Sequence, residues 1–252
     1  MEVQFAFMAE RGANVIGLNC CRINLILRCF DFNGSDSISM AENMKGSSAG
    51  IAIVAGGSDK NGCILKSAKL YNSELRSWES LPDMNLTRKM CSGFFMDEFY
   101  VIGGISSQSD YLTCGEEYNL KTRTWRRIHD MMIRGWGGPM ESPPLVAVVN
   151  NQLYAVDLTT HEVKKYDKTK NTWGVVKRLL VRADSKYGWG LAFKACGGNL
   201  LVVCGRRGID GEDIVLHSWC PEDGNGGERE WDVLSIRERA GGFVHNCAVM
   251  AC

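Results

Sequence analysis

Three eight-residue segments share one frame, and this frame constrains the fold more than any other feature of the sequence. Each segment begins with tyrosine, ends with tryptophan and is polar in between: Tyr71–Trp78, Tyr118–Trp125 and Tyr166–Trp173. The steps between successive tyrosines are 47 and 48 residues, and the steps between the tryptophans are the same. A sustained period of this length indicates one supersecondary unit repeated along the chain.

The second repeat, residues 90–128, has the pattern of four short strands. Two apolar runs, "MCSGFFM" and "FYVIGG", flank the turn residues Asp97 and Glu98, and the second run ends in a glycine pair, where positive φ angles are accessible. A third run ends with Tyr118, and Trp125 begins a fourth run after the polar turn "KTRT". Because side chains alternate across a strand, each aromatic ring can pack on its own sheet while the turn residues stay in water.

The other repeats follow this pattern unevenly. The glycine pair is present in the first repeat and is replaced by "LYAVD" in the third, and an insertion delays the tryptophan of the fourth to Trp231. A four-stranded antiparallel unit that recurs at this length predicts an all-β fold in which blades pack radially as a β-propeller. We expect four recognisable blades and an orphan C-terminal strand, in a ring that is either closed or incomplete. The predicted repeats are residues 46–89, 90–142, 143–188 and 189–239, followed by a closing strand at 242–250.

The glycine pair, the tyrosine and the tryptophan, in this order, resemble the kelch repeat. Longer segments, among them "AIVAGG", "LTCGEEY", "SPPLVAVVNN" and "GWGLAFKACG", resemble plant F-box/kelch-repeat proteins over residues 46–252. The resemblance implies a kelch-type propeller that binds a protein substrate as part of an SCF-type ubiquitin ligase and catalyses no reaction itself. The structural repeat residues are Gly56, Gly57, Tyr71, Trp78, Gly103, Gly104, Tyr118, Trp125, Tyr166, Trp173 and Trp231.

The N-terminal segment, residues 1–45, departs from the pattern of that family. An F-box, which docks on the Skp adaptor of a cullin ligase, precedes the propeller in the family, but this segment has no leucine-proline start and no tryptophan, and we find no clear F-box. A Skp-type adaptor and a cullin are therefore expected as partners only of a longer form that carries an F-box. For the C-terminal strand there are three alternatives: residues 1–42 supply its partner strands, four blades close a strained ring, or the chain is a shortened form. We expect the third.

The composition favours a cytoplasmic or nuclear protein and argues against several classes of partner. The 29 lysines and arginines balance the 29 acidic residues, so there is no long-range field to gather nucleic acid or anionic lipid. The 11 cysteines include no C-x-x-C pair, which favours a reducing compartment. We expect neither a signal peptide nor a membrane span, because Glu2 lies where a signal peptide is basic and Arg22 and Arg28 interrupt the most apolar run.

No cofactor is expected, but metal-dependent kelch enzymes are an alternative to a binding module. Galactose-oxidase-like proteins hold copper with tyrosine and histidine, and nothing in the spacing here selects such a pair. Nitrile-specifier proteins hold iron in an E-x-x-x-D-x-x-x-H loop; Glu79 and Asp83 match this loop, but Thr87 stands in place of the histidine. A free-standing scaffold that pairs its exposed strands with another chain is a further alternative.

An arginine follows each tryptophan at a nearly constant interval, in the segment that leads from one blade to the next. In one interpretation these arginines ring one face near the central axis and bind carboxylate or phosphate through paired donors. In the other they have a structural role and bond backbone carbonyls or acidic residues between blades. The polar loops between second and third strands are further candidates for recognition. The candidate partner-binding residues are Arg88, Arg134, Trp136, Arg182, Trp189, Arg206, Arg207 and Arg239.

Overall fold

A computed structural model describes residues 3–8, 39–43, 51–108, 110–132, 142–181, 190–207, 212–221, 230–237 and 246–251. These residues form eighteen strands. Among them no helix has the length and apolar character needed to cross a membrane. The strands build four sheets of four strands and one of two, and in each four-stranded sheet the strand order follows the chain, as in the blades of a β-propeller. The predicted all-β propeller is confirmed.

The four blades are consecutive antiparallel meanders, preceded by a first strand, β1 Val3–Met8. Blade 1 consists of β2 Ser39–Asn43, β3 Ile51–Ala55, β4 Ala68–Asn72 and β5 Ser77–Leu81. Blade 2 consists of β6 Ser92–Met96, β7 Glu98–Ile102, β8 Gly115–Asn119 and β9 Thr124–Ile128. Blade 3 consists of β10 Val146–Val149, β11 Gln152–Asp157, β12 Glu162–Asp167 and β13 Thr172–Arg178. Blade 4 consists of β14 Leu191–Cys196, β15 Asn199–Arg207, β16 Glu212–Trp219 and β17 Asp232–Arg237, and the last strand is β18 Asn246–Ala251.

Blade 1 begins earlier than the sequence pattern indicates. The first repeat is predicted to start at residue 46, but β2 lies ahead of this position and pairs with β3 from Ser39↔Ala55 to Asn43↔Ile51. The β2 sequence, "SMAEN", lacks the β-branched and aromatic residues that mark the other strands. Its place in the sheet follows from pairing with the apolar β3 and not from its own strand propensity.

The C-terminal strand has a partner within the chain. β18 pairs antiparallel with β1, in a register that runs from Val3↔Ala251 to Met8↔Asn246. The N-terminal residues thus supply one partner strand, as in the first of the three alternatives, and the shortened form stays a prediction. β18 also lies against β14, the first strand of blade 4.

The first strands of successive blades lie side by side, with β2 against β6, β6 against β10 and β10 against β14. Each blade is an antiparallel meander, so successive connections alternate between the two ends of its strands. We call these two ends the rim face and the base face. The rim face carries the loops between second and third strands and the links between blades: residues 56–67, 82–91, 103–108, 110–114, 129–132, 142–145, 158–161 and 179–181. The base face carries the hairpin turns: residues 73–76, 97, 120–123, 150–151, 168–171 and 197–198.

The repeated aromatics form the hairpin between third and fourth strands, as predicted. Each tyrosine is directly opposite its tryptophan in the ladder: Tyr71↔Trp78, Tyr118↔Trp125 and Tyr166↔Trp173. The ring centroids are 5.0, 4.9 and 4.9 Å apart, and the rings are tilted by 46° in all three pairs. Blade 4 uses Trp219 in place of the tyrosine, 5.8 Å from Trp231. The sequence pattern missed Trp219 because the insertion separates the two rings by twelve positions.

The turns inside these hairpins are specified by a side-chain cap. The residue after each tyrosine accepts, through Oδ1, hydrogen bonds of 2.8 to 3.1 Å from the N–H groups two and three positions further on: Asn72, Asn119 and Asp167. The residue two before each tryptophan has a left-handed φ of 50°, 59° or 52°: Arg76, Arg123 and Asn171. Because the first residue fixes the turn, the exposed positions after it tolerate different side chains.

The tryptophan indoles also tie each blade to the one before it. Trp125 Nε1 donates to the Pro82 oxygen at 2.7 Å, Trp173 Nε1 to the Met131 oxygen at 2.7 Å, and Trp231 Nε1 to the Arg178 oxygen at 3.0 Å. The core around these bonds is divided in the same way, because each of its three largest clusters contains buried side chains from two neighbouring blades. The stability of a blade therefore depends on its neighbours.

Candidate functional site

Arg88 lies in the link between blades 1 and 2 and is bonded to both. Its backbone is attached to blade 1: its carbonyl oxygen accepts from the Gly57 N–H at 2.7 Å, and its own N–H donates to the Leu65 oxygen at 2.9 Å. Gly56 and Gly57 have left-handed φ angles of 73° and 93°. A Cβ atom on Gly56 would overlap the carbonyl oxygen of Arg88. The close approach of this link is the reason for the first glycine of the pair.

The Arg88 side chain is attached to blade 2. Nη1 donates to the oxygens of Gly103 and Cys114 at 2.7 and 3.0 Å, and Nε and Nη2 donate to Glu116 Oε1 at 3.2 and 3.1 Å. The remaining donor, also on Nη2, is used by Cys114 Sγ at 3.2 Å. The side chains of Arg88 and Glu116 are 0% exposed. All five guanidinium N–H groups are thus engaged inside the protein, so the structure supports the inter-blade role of Arg88 and not the predicted contact with a partner.

Glu116 holds the same link from the blade 2 side. Its Oε2 accepts from the backbone N–H of Asn85 at 2.6 Å and from the Asn85 side-chain amide at 2.8 Å, and its Oε1 accepts from the Leu86 N–H at 3.2 Å. Because charge-assisted bonds to a strand carboxylate fix residues 85–88, the link is a rigid part of the scaffold. It positions the rim residues that follow it.

Of the other predicted partner residues, the structure describes two, Arg206 and Arg207. Arg206 and Arg207 lie within β15, in register with Asp213 and Glu212 of β16. Half of the segment "RRGIDGED", predicted to be a loop, is therefore strand. Five residues lie outside the described part of the chain, and their role stays a prediction: Arg134, Trp136, Arg182, Trp189 and Arg239.

Beside the rigid link, three residues form a row on the rim face of blade 2. Lys89 and Ile105 are backbone partners, with N–H···O distances of 3.0 and 2.8 Å, and Ile105 is also the bridge partner of Tyr111. Directly opposed residues of antiparallel pairs point to the same side, so the row runs from a cation through an aliphatic group to an aromatic ring. The Tyr111 side chain is exposed, at 56% for the residue. We call Lys89, Ile105 and Tyr111 the rim row.

The rim row was missed at the level of sequence. Tyr111 lies in the segment "SSQSDYLT", which reads as a polar loop. The repeat period contains the missing signal, because blade 1 has the same bridge between Ser58 and Ile64, 47 residues earlier. The loop that precedes Tyr111 is also anchored to the link, since Thr87 Oγ1 accepts from the Ser107 N–H at 2.9 Å.

The rim of blade 3 is built differently, with a tight turn between its second and third strands. Asp157 Oδ1 accepts from the N–H groups of Thr159 and Thr160 at 2.9 and 3.3 Å, and its Oδ2 accepts from Lys164 Nζ at 2.6 Å. Burial raises the pKa of the Asp157 carboxyl group, but the bonds from Lys164 and from the turn outweigh burial and hold this pKa below its usual range. The third repeat lacks the glycine pair, and the charged Asp157 side chain stabilises the turn between its second and third strands instead.

The two carboxylates that match an iron-binding loop are engaged in ion pairs. Glu79 Oε1 lies 2.6 Å from Arg123 Nη2 of blade 2, and Asp83 Oδ2 lies 3.5 Å from Lys66 Nζ. Within the described ranges, no three His, Cys, Asp or Glu side chains are grouped so that they could hold a metal ion. Glu79 thus connects two blades, and Asp83 connects the link to the neighbouring loop of blade 1.

The repeat geometry and the blade order define a β-propeller of kelch type. A model of the Kelch motif matches residues 92–132, which comprise blade 2 and the start of the next link. The chain is 53% identical to F-box/kelch-repeat protein SKIP11 and 46% identical to F-box/kelch-repeat protein At1g26930, both of Arabidopsis thaliana. The chain is thus a homologue of the plant F-box/kelch-repeat proteins, which confirms the resemblance.

These matches cover most of this chain but only about half of each relative. Each covers 80% of this chain but only 44% of SKIP11 and 50% of At1g26930, so the chain spans about half the length of the curated relatives it matches. A kelch propeller in such homologues supports a protein-binding module.

Proposed function

We propose that this chain binds a protein substrate through the rim face of its propeller and acts as the substrate-recognition part of an SCF-type ubiquitin ligase, in the cytoplasm or nucleus. The observation that carries the proposal is the homology, at 46 and 53% identity, to proteins named for an F-box and kelch repeats. In such a ligase the F-box docks on the adaptor and the propeller selects the substrate. The propeller then needs a specific surface and no catalytic group of its own.

The rim face has the physical properties that substrate selection needs. Its link at residues 82–91 is fixed between two blades by Arg88 and Glu116, so the residues beside it lose little conformational freedom on binding. The rim row presents an exposed tyrosine next to an aliphatic group and a lysine. Tyrosine is enriched among the residues that dominate interface energies, and truncation at such a position typically costs ~2 kcal/mol or more.

Proximity labelling in plant cells, with the chain fused to a biotin ligase, tests the recognition surface. The proteins labelled by the wild type are compared with those labelled by a Tyr111→Ala, Lys89→Glu double variant. A Leu75→Ala variant is the matched control, because Leu75 is 71% exposed and lies on the base face. We expect the rim variant to lose a specific set of proteins that the control retains. Loss of this set in both variants, or in neither, contradicts recognition through the rim row.

The ligase role is tested separately, so that it can fail while recognition stands. Proteins that depend on the rim row should accumulate when the gene is silenced and when the proteasome is inhibited. Unchanged levels of these proteins contradict the ligase role and leave their binding intact. Docking on the ligase requires a longer form that carries an F-box, so we expect the 252-residue chain by itself not to co-precipitate a Skp adaptor. Strong adaptor binding by residues 1–46 would show a divergent F-box in that segment.

A further inference from the structure

The rim row is part of a small antiparallel ladder, and the backbone bonds of this ladder distinguish its two pairs. Lys89 and Ile105 form a hydrogen-bonded pair, because the N–H group of each donates to the carbonyl oxygen of the other. Ile105 and Tyr111 form a pair of the other kind, with the backbone bonds on either side of it. These two flanking bonds are both 2.9 Å long: Ser106 N–H to the Asp110 oxygen and Leu112 N–H to the Gly104 oxygen.

The second pair leaves the backbone of Tyr111 facing outwards. In a pair flanked by its hydrogen bonds, the N–H and C=O groups of the two residues point away from each other. Those of Ile105 point to Lys89, and those of Tyr111 therefore point out of the ladder on its other side. Within the described ranges no group bonds to the N–H or the C=O of Tyr111, and the residue is 56% exposed. We call these two backbone groups of Tyr111 the open edge.

The open edge matches the main chain of an extended polypeptide. A residue laid antiparallel beside Tyr111 can donate its N–H to the Tyr111 oxygen and accept from the Tyr111 N–H, which completes a hydrogen-bonded pair. A helical segment cannot do so, because its backbone groups are used within the helix. When an extended segment adds to a sheet edge, main-chain bonds give affinity and the side chains give specificity.

The side chains beside the open edge favour particular residues in the added segment. A residue opposite Tyr111 points to the same side as the tyrosine ring, and aromatic rings pair favourably with β-branched side chains across a ladder. In an antiparallel arrangement, the next residue of the segment lies opposite Asp110. Asp110 is exposed, and no ion pair of its carboxylate is found in the part of the chain that the structure describes. A lysine or arginine opposite Asp110 has the complementary charge.

We propose that the open edge accepts an extended segment of the substrate protein as a further antiparallel strand, with a β-branched residue opposite Tyr111 and a basic residue, the next in its sequence, opposite Asp110. This inference rests on the proposed recognition through the rim face and adds the conformation and the charge of the recognised segment. The ladder is held in place before binding, because Lys89 follows the rigid link directly and Thr87 Oγ1 accepts from the Ser107 N–H. Little conformational freedom is then lost on binding.

Fluorescence anisotropy with the whole chain tests the open edge. The probe is a fluorescein-labelled peptide of sequence Gly-Ser-Thr-Leu-Val-Lys-Thr-Ser-Gly, whose valine is expected opposite Tyr111. A first control peptide carries an N-methyl group on the valine, which removes the donor to the Tyr111 oxygen and keeps every side chain. A second control peptide has glutamate in place of the lysine. We expect each control peptide to bind at least tenfold more weakly than the probe.

An Asp110→Lys variant tests the placement by a gain of binding, so its result does not depend on a loss of folding. It should bind the glutamate peptide at least tenfold more tightly than the lysine peptide. Glu74→Lys makes the same change of charge at an exposed residue of the base face and should leave the wild-type preference unchanged within twofold. Tyr111→Pro removes the N–H donor as well as the ring, and it should bind the probe at least threefold more weakly than Tyr111→Ala.

Several results would overturn the inference. Equal binding of the N-methylated peptide, or no binding of the probe, contradicts the addition of a strand at Tyr111. A preference for the lysine peptide that persists in Asp110→Lys contradicts the pairing with Asp110. If either result is obtained while the Tyr111→Ala, Lys89→Glu variant still loses its set of labelled proteins, the extended mode of binding is wrong and recognition through the rim row stands.

Discussion

Replacement of Arg88 by methionine removes the cation that joins blade 1 to blade 2 and leaves an unbranched side chain in its place. The Glu116 carboxylate then stays buried without its counter-ion. The carbonyl oxygens of Gly103 and Cys114 also lose a hydrogen-bond donor. The variant therefore tests whether the link between the two blades is part of the scaffold.

The expected loss in the free energy of unfolding is about 3 to 5 kcal/mol, the range found when one member of a buried ion pair is removed. The full range applies because Arg88 and Glu116 are 0% exposed, so solvent does not screen the uncompensated charge. Glu116 keeps its bonds from Asn85 and Leu86, which stops the loss from exceeding this range. For a chain of this size the melting temperature falls by roughly 2 to 4 °C per kcal/mol, which gives a decrease of about 6 to 20 °C.

Thermal and urea unfolding followed by circular dichroism measure this loss. Arg127→Met is the matched control, because Arg127 is exposed on β9, and its free energy of unfolding should change by no more than about 0.5 kcal/mol. In a double-mutant cycle with Glu116→Gln, the two changes should be non-additive by more than ~1 kcal/mol, as expected for residues in contact. The reasoning is refuted if the melting temperature of Arg88→Met stays within about 2 °C of the wild type while partner binding is lost.

Three further predictions concern the aromatic hairpin, the glycine pair and the turn of blade 3. Trp125→Phe removes the indole donor to the Pro82 oxygen, and urea unfolding should show a loss of about 1 kcal/mol; an unchanged midpoint would mean that this bond is dispensable. Gly56→Ala should cost ~3 kcal/mol or more because of overlap with backbone, whereas Gly62→Ala, at a similar φ but in open space, should cost about 1 kcal/mol. Equal losses for the two alanine variants would contradict the close approach. The lowered pKa of Asp157 stabilises the fold above the unfolded value of about 3.9, and this contribution is lost as the pH falls through the folded value. The stability difference between wild type and Asp157→Asn should therefore be largest at neutral pH and shrink below about pH 4, and a difference independent of pH would argue against the charged carboxylate.

The aromatic hairpins could be predicted because their determinants are local. The turn cap, the register and the ring contact all lie within eight residues, so one short pattern specifies them together. Blade 4 has the same hairpin without the eight-residue pattern. Trp219 takes the place of the tyrosine and residues 220–230 lengthen the connection, yet Ser218 still pairs with Asp232 next to the ring pair. The pattern changes there while the geometry is kept.

The sequence left two roles open for Arg88 and could not decide between them, because its acidic partner is 28 positions away and is specific to one blade. Glu116 stands two residues before the tyrosine of blade 2, and the same position holds Lys69 in blade 1 and Lys164 in blade 3. The spacing of the arginines therefore repeats without repeating the acid that pairs with Arg88. Lys164 instead forms its ion pair with Asp157 in its own blade.

The rim row was not predictable for a related reason, which is that separate segments assemble it. Lys89 and Tyr111 are 22 positions apart and meet only because Ile105 pairs with both. Register of this kind follows from packing and turn geometry together, and composition does not reveal it.

The indole bonds all point the same way around the ring. Trp125, Trp173 and Trp231 each donate backwards, to a carbonyl at or just beyond the outer strand of the preceding blade. Opening of an inner blade therefore breaks two bonds of this kind, the one that its own indole donates to the preceding blade and the one that it accepts from the indole of the next blade. Local unfolding of an inner blade should then weaken both of its neighbours, which couples the blades into one cooperative unit.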